Sequence, residues 1–341
     1  MGRALKVDSE LPVIDITPLR LGDAADRRAV AAKISAACTG SGFFCITGHG
    51  LDEALVADTR QAAVDFYARP VEEKMNIARP PEKISRGYFP FADRSLAYSR
   101  GVAAPPDLQE AWAMGPPDTP DTPYYKTETA GRFFAPNHWP ENPAGFEATL
   151  RAYHAAMTVL AGTLMEGCAL ALDLEEDFFA DKIDRPCSVV RLIRYPAQDA
   201  GPEAGQLRAG AHSDYGTLTI LRGDKVPGAL QVQLPNGDWT DVVPPDGAFV
   251  CNIGDAMAYW TGGRWNSTLH RVANPPGGTV HGDRISLVFF HLPNYDAVLG
   301  GINDEPGASP PSFAGHYLDK VMKAAHKRLN ADATDAGEAA Q

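Results

Sequence analysis

The sequence has little of three features that would mark its class at once: paired cysteines, excess positive charge and long apolar runs. Its five cysteines are odd in number, widely spaced and form no CxxC pair, so they predict neither a disulfide framework nor a zinc knuckle. The formal net charge of -12 argues against a phosphate-binding face and therefore against nucleic acid as a partner. No apolar run reaches the roughly 20 residues that cross a bilayer, and the N-terminus lacks the apolar core of a signal peptide. We therefore expect a cytoplasmic protein with no membrane contact.

The first half of the chain carries mainly helical signals. Val30, Ile34 and Cys38 recur every four residues, which predicts a helix between Asp26 and Gly40. Similar patterns predict helices at 52–68, 71–78 and 146–172, and short buried strands at 13–15 and 43–46.

The second half, from Ser188 onward, consists of short β-branched and aromatic runs separated by turn residues. Strands are predicted at 189–195, 218–221, 230–233, 239–243, 248–252, 267–272 and 285–290. The PNGD sequence at 235–238 predicts a hairpin. Many short strands after a helical block favour an α+β chain whose second half closes into a barrel or a double-sheet jelly roll.

Candidate metal ligands stand in two of these segments. His212 and Asp214 are separated by one residue, so an extended backbone points both side chains to the same face. Such a pair is weak evidence alone, because about one chance HxD is expected in a chain this long. His270 in a separate strand supplies a third ligand. Two histidines and one carboxylate can occupy one face of an iron octahedron, which leaves three positions for a bidentate keto acid and O2.

Arg284 and Ser286 form a second same-face pair, in the sequence GDRISLVFF. A guanidinium group presents a rigid fork of donors that suits the distal carboxylate of a keto acid, and the Ser286 hydroxyl adds one more donor. Alternation along the same strand points Phe290 toward the expected iron cavity and Phe289 away from it.

Together, His212-Ser213-Asp214, His270 and Arg284-Ile285-Ser286 resemble the HxD…H…RxS pattern of the isopenicillin N synthase-like family of 2-oxoglutarate/Fe(II) oxygenases. PVIDITPL, SGFFCITGHGL, FYARPVEEK and FFHLPN are similar to other landmarks of that family in the same order, so the resemblance spans roughly residues 10 to 320. It implies a distorted double-stranded β-helix (jelly roll) wrapped by N-terminal and backing helices, with iron between the two sheets.

The resemblance also implies a function. Fe(II), O2 and the co-substrate 2-oxoglutarate, with ascorbate as a stimulating reductant, would oxidise a small molecule by hydroxylation, desaturation or ring formation. Succinate and CO2 would be released. Tyr195 matches a tyrosine that reaches the keto acid in relatives, although Ile193 replaces the family's usual asparagine. Arg194 resembles an arginine of the bacterial ethylene-forming enzyme, whose HTDYG motif is also similar to HSDYG here.

We expect the chain to divide into four regions. These are an N-terminal helical and substrate-lid region (1–120), backing helices (121–187), the jelly-roll core (188–320) and a flexible tail (329–341). The loop expected at 85–98 resembles the family's substrate lid. Four residues are candidate substrate contacts: Phe290, Tyr215, His291 and Tyr88.

Three alternatives remain open at this point. The chain could be a 2-oxoglutarate-independent oxidase of the same family, or an enzyme that forms ethylene from 2-oxoglutarate. It could also be a non-catalytic metal- or ligand-binding protein on the same scaffold. A monomer and a weak homo-oligomer are both compatible with the sequence, which names neither the substrate nor the type of oxidation.

Overall fold

The computed structural model of the chain describes residues 11–80, 84–197, 201–226, 229–275, 282–302 and 309–323. The flexible tail predicted at 329–341 lies outside these residues.

The larger of two sheets has eight strands. They are β1 (Val13–Asp15), β2 (Phe43–Thr47), β3 (Gly87–Phe89), β4 (Glu110–Met114), β5 (Val189–Tyr195), β7 (Leu218–Gly223), β10 (Phe249–Ile253) and β12 (Arg284–His291). Their order in the sheet is β1-β2-β10-β7-β12-β5-β4-β3. β1 runs parallel to β2, and the other neighbours pair antiparallel.

The smaller sheet has four strands, which are β6 (Ala209–His212), β8 (Leu230–Gln233), β9 (Trp239–Asp241) and β11 (His270–Val272). Their order in the sheet is β6-β11-β8-β9. The PNGD turn joins β8 to β9, where the backbone N–H of Leu234 donates to the carbonyl of Asp238. A cavity of about 390 Å³ lies between the two sheets and is lined by both. The core is a jelly roll, as the resemblance implied.

Helices cover the outer side of the larger sheet and its ends. They are α1 (Thr17–Leu21), α2 (Ala24–Thr39), α3 (Glu53–Tyr67), α4 (Val71–Met75), α5 (Glu128–Phe133), α6 (Phe146–Ala171) and α7 (Asp255–Trp260). Residues 313–323 are also helical. Asp23 and Asp52 cap α2 and α3, since each carboxylate accepts backbone N–H groups of the first turn.

The alternation predicted for β12 is confirmed. Phe290 lines the cavity, whereas Phe289 is fully buried on the opposite face, with its ring 5.7 Å from that of His154 in α6. The helix α6 is long and apolar enough to cross a membrane by length and composition alone. More than half of its most apolar stretch is buried inside the protein, as in a core helix.

The N-terminal region departs from its predicted helical character. The segment expected to be a loop at 85–98 contains β3, and β4 follows it; both join the larger sheet beside β5. Neither strand alternates clearly, because β3 and β4 are buried on both faces. The five cysteines, all within the described residues, are buried free thiols.

Candidate active site

Three potential ligand atoms meet at one end of the cavity. His212 ends β6 and His270 begins β11, and the two residues pair directly across these strands. Asp214 follows His212 by two residues. The possible ligand atoms of the three side chains lie within 4.8 Å of one another. Nε2 of His212 is 3.8 Å from Oδ1 of Asp214, and Nε2 of His270 is 3.6 Å from Oδ2. The predicted triad is therefore assembled.

Backbone carbonyl groups fix the orientation of both imidazoles. Nδ1 of His212 donates to the carbonyl of Gly210 at 2.8 Å, and Nδ1 of His270 donates to that of Thr268 at 3.1 Å. A carbonyl oxygen can only accept, so each Nδ1 carries the proton and each Nε2 offers its lone pair toward Asp214. This donor set fits a divalent iron ion.

Two buried side chains support the carboxylate of Asp214. Thr219 on β7 and Asn252 on β10 donate to its Oδ2, at 2.6 and 2.8 Å. These hydrogen bonds hold the carboxylate in place, and Oδ1 remains free of them for a metal ion.

The electrostatics suit metal binding at neutral pH. Burial, reinforced by the nearby His270, lowers the pKa of His212 to about 4, so its imidazole is neutral and able to ligate. Burial alone would raise the pKa of Asp214. The two histidines and the hydrogen bonds from Asn252 and Thr219 outweigh burial and hold that pKa below its usual value. The carboxylate is thus ionised.

A second cluster along the cavity suits the distal carboxylate of 2-oxoglutarate. Arg284 is buried, donates to the Ser286 hydroxyl at 2.8 Å, and places its guanidinium carbon 5.1 Å from the ring centre of Tyr195. All three residues line the cavity. On β7, Gly223 leaves room for this group, because a Cβ atom there would lie 2.7 Å from a terminal nitrogen of Arg284.

The predicted substrate contacts divide into two groups. Phe290 and Tyr215 line the cavity. Tyr88 and His291 do not. Tyr88 is buried on β3 with its hydroxyl donating to Glu110, and His291 is buried with Nδ1 2.6 Å from the Thr217 hydroxyl. The prediction for Tyr88 was wrong because the segment is a strand that points Phe89, rather than Tyr88, to the cavity. The strand β12 turns His291 away in the same manner.

Arg194 lies on the opposite face of β5 from Tyr195, outside the cavity lining. It donates to Glu110 at 2.6 Å and to Asp283 at 2.7 Å. The pairing of β5 with β12 is regular from one end of β5 to the other, so no bulge turns Arg194 inward. This is the arrangement expected for a structural arginine.

Sequence reasoning missed several cavity residues. Arg191 shares the cavity face of β5 with Ile193 and Tyr195, and the same alternation would have indicated it. Arg94 and Phe89 come from the region treated as a lid loop, where no periodic signal exists. Thr219 and Asn252 were missed because only the fold brings β7 and β10 beside Asp214.

The jelly roll with its His-Asp-His triad defines a non-haem iron oxygenase. Comparison with known proteins agrees. Residues 11–142 match the family described as non-haem dioxygenase in morphine synthesis, N-terminal, and residues 186–293 match the 2OG-Fe(II) oxygenase superfamily. The chain belongs to the 2OG-Fe(II) oxygenase superfamily.

Relatives extend over most of the chain. The 2-oxoglutarate-Fe(II) type oxidoreductase hxnY of Emericella nidulans is 32% identical over 323 residues, covering 93% of this chain and 89% of the relative. A homoarginine-6-hydroxylase of Arabidopsis thaliana is 34% identical over 306 residues, covering 85% and 86%. The crystal structure of a full-length Neurospora crassa protein in complex with alpha-KG superposes with a TM-score of 0.79 at 25% identity, covering 94% of this chain and 99% of that one.

The protein is therefore a 2-oxoglutarate-dependent oxygenase with Fe(II), O2 and 2-oxoglutarate as its cofactor and co-substrates, and it acts on a small molecule. This confirms the function expected from the sequence.

Proposed function

We propose that this enzyme hydroxylates a C–H bond of a small molecule held between Phe290 and Tyr215. Iron would be held by His212, Asp214 and His270, and 2-oxoglutarate by Arg284, Ser286 and Tyr195. The observation that carries this proposal is that both clusters line one cavity between the sheets. When bound, the iron supplies the oxidising chemistry, and the protein's part is to position the reactants.

Hydroxylation is preferred to desaturation or ring formation because several relatives are named as hydroxylases. Ethylene formation loses its support, since Arg194 is bonded to Glu110 and Asp283 rather than directed into the cavity. We further propose that the protein is cytoplasmic and monomeric or weakly self-associating, in keeping with its acidic charge and buried free cysteines.

We do not propose homoarginine, the substrate named for the homoarginine-6-hydroxylases, as the substrate of this chain. Among the described residues that line the cavity, the charged groups are Asp214 and four arginines. A substrate that carries a guanidinium group, as homoarginine does, would be repelled by these arginines inside the cavity.

The test measures succinate release by the purified protein with Fe(II), ascorbate and 2-oxoglutarate, alone and with a panel of amino acids, aromatic compounds and natural-product intermediates. We expect slow basal release that a subset of the panel stimulates, with one oxygen atom added to the stimulating compound by mass spectrometry. No succinate under any condition would refute oxygenase activity for this chain. Succinate with a product that has lost two hydrogens would replace hydroxylation by desaturation or ring formation.

A further inference from the structure

Three arginines surround one phenyl ring in the lining of the cavity. The guanidinium carbons of Arg79, Arg94 and Arg191 lie 5.3, 5.1 and 4.6 Å from the ring centre of Phe89. All four residues line the cavity. We call Arg79, Arg94 and Arg191 the arginine cluster.

Within the described residues, two of the three positive charges form no ion pair with a carboxylate. Arg79 is paired with Asp93 at 3.3 Å. No hydrogen bond or ion pair of the Arg94 or Arg191 side chain is found within the described ranges, and Nε of Arg191 is buried without a partner. The charges of Asp93 and Asp107 both reach Arg94, but neither carboxylate forms an ion pair with it. Asp93 is paired with Arg79, and the two oxygens of Asp107 accept the backbone N–H groups of Leu96 and Gly210.

Stacking on Phe89 does not by itself account for this arrangement. A cation on an aromatic face gains about 0.5–2 kcal/mol, whereas a desolvated charge without a partner costs more. Burial, with the adjacent charge of Arg94, lowers the pKa of Arg191 to about 9. A bound anion would offset both the desolvation and the mutual repulsion.

The co-substrate does not supply this anion. Tyr195 and Arg191 are four residues apart on β5, so their backbone positions differ by about 13 Å. Arg284 faces Tyr195 across the sheet, whereas Arg191 faces Val288, and the Ser286–Ile193 pair lies between them. 2-Oxoglutarate bound at Arg284 and at the metal would use both of its carboxylates there, which leaves none free for the cluster. Beyond Arg191 the cavity wall is apolar, formed by Val189, Phe290 and Leu292.

We infer that Arg94 and Arg191 bind a carboxylate group of the primary substrate, whose apolar body extends along Phe290 toward the metal. This rests on the proposed function and specifies its substrate class, an amphipathic organic acid. Arg79, already neutralised by Asp93, supports the stack on Phe89 rather than the anion.

The test uses calorimetric titration of the anaerobic holoenzyme, loaded with Fe(II) and 2-oxoglutarate. The probes are propionate, hexanoate, phenylacetate and 3-phenylpropionate, each beside its carboxamide, which matches the acid in shape but carries no charge. We expect at least one acid to bind about tenfold or more tightly than its amide, as loss of a desolvated charge pair predicts. Amides that bind as well as the acids across the panel, or acids that do not bind at all, overturn the inference. This comparison needs no variant to fold.

Variants then identify the residues that cause the preference for acids over amides. Arg94→Gln and Arg191→Gln should each abolish it, whereas Arg100→Gln, an equal charge change at an exposed position, should keep it. Retention in both cavity variants would contradict the assignment, with thermal unfolding used to confirm that they are folded. Basal succinate release without substrate separates this inference from the proposed function. If the parent protein converts no 2-oxoglutarate, the proposed activity is refuted. The preference for acids over amides in the titration still tests whether the cluster binds a carboxylate. A raised 2-oxoglutarate requirement with an unchanged acid preference would assign the cluster to the co-substrate and refute our inference.

Discussion

Asp214 illustrates at the residue scale how one side chain is prepared for a metal ion. Its Oδ2 accepts hydrogen bonds from Thr219 and Asn252, and its Oδ1 faces His212. Hydrogen-bond partners of metal ligands typically contribute about 10–100-fold in metal affinity or activity. The metal site therefore extends to residues on β7 and β10 that do not touch the metal themselves.

We predict that His212→Ala, Asp214→Ala and His270→Ala each abolish succinate release, because the loss of one ligand weakens binding and distorts the open positions. Thr219→Val should weaken Fe(II) binding by about 10-fold or more. Calorimetric titration with Fe(II) under anaerobic conditions measures the affinity. Thr217→Val removes a hydroxyl that contacts His291 instead of Asp214, and serves as the matched control. Near-native turnover in a triad variant would exclude that residue from the ligand set.

Gly223 is equally informative, since the space it leaves is occupied by Arg284. Arg284→Ala should raise the 2-oxoglutarate requirement about 30-fold or more, because truncating one partner of a desolvated charge pair costs about 2–5 kcal/mol. Gly223→Ala should raise it too, without any change of charge, by displacing the guanidinium group. Gly162→Ala, at an open position of α6, should leave it unchanged. Initial rates of succinate release over a range of 2-oxoglutarate concentrations measure the effect. An unchanged requirement in Arg284→Ala would show that this arginine does not hold the co-substrate.

At the scale of elements, the alternation of side chains along β5 separates the residues of the cavity from an ion-pair network on the other face of the sheet. Odd-numbered residues from 189 to 195 line the cavity, whereas Arg194 faces Glu110 on β4. Glu110 also accepts from Lys74 of α4 at 2.8 Å, and both of these side chains are almost fully buried. The network joins α4, β4 and β5 on the side of the sheet away from the iron.

We predict that Arg194→Ala lowers stability and leaves the chemistry unchanged. The 2-oxoglutarate requirement should equal that of the parent, and both proteins should release succinate without ethylene. Gas chromatography of the headspace, together with succinate analysis, measures the products. Arg191→Ala removes an arginine from the cavity face of the same strand and is compared with Arg194→Ala. Ethylene formed by the parent and lost in Arg194→Ala would refute the structural role of this arginine.

At the scale of the whole molecule, buried histidines tie stability to pH. Burial lowers the pKa of His291 to about 4, and burial likewise lowers the pKa of His154 to about 4. Both histidines are buried, and their rings lie 5.7 Å (His154) and 6.4 Å (His291) from the ring of Phe289. Unfolding exposes these imidazoles to water, where their pKa returns to about 6.5.

The sign of the pH dependence follows directly. Between pH 6.5 and 4 the unfolded chain binds more protons than the folded chain, so the free energy of unfolding falls as the pH falls through this window. Each histidine contributes a loss of about 3 kcal/mol, at about 1.4 kcal/mol per pKa unit.

We therefore predict that His291→Asn reduces the stability lost between pH 7 and pH 4. Urea unfolding at a series of pH values, with the metal removed by chelator, measures it. Thr217→Val should lower stability at every pH and keep the parent's slope, because it removes the hydrogen-bond partner but not the imidazole. An unaltered slope in His291→Asn would show that this histidine does not titrate on unfolding.

Much of this protein can be predicted from local sequence patterns. The strand β8 and the starts of β5 and α6 lie where periodicity placed them, because an amphipathic pattern is a property of neighbouring residues. The spacing of His212 and Asp214, and that of Arg284, Ser286 and Phe290, likewise directs these side chains to one face of an extended backbone. Local geometry thus determined which side chains share a face with His212 and which share a face with Arg284.

The tertiary structure alone decided which separate segments meet. Pairing of β6 with β11 brings His270 to His212, and β7 and β10 bring Thr219 and Asn252 to Asp214. The strands β3 and β4 escaped prediction because strands buried on both faces show no alternation. For the same reason Tyr88 was wrongly predicted to contact the substrate. No sequence pattern indicated that Arg94 and Arg191 would both pack against Phe89. The contact of Arg191 with Phe89 joins residues far apart in sequence, so the pairing of β3, β4 and β5, rather than local preference, determines it.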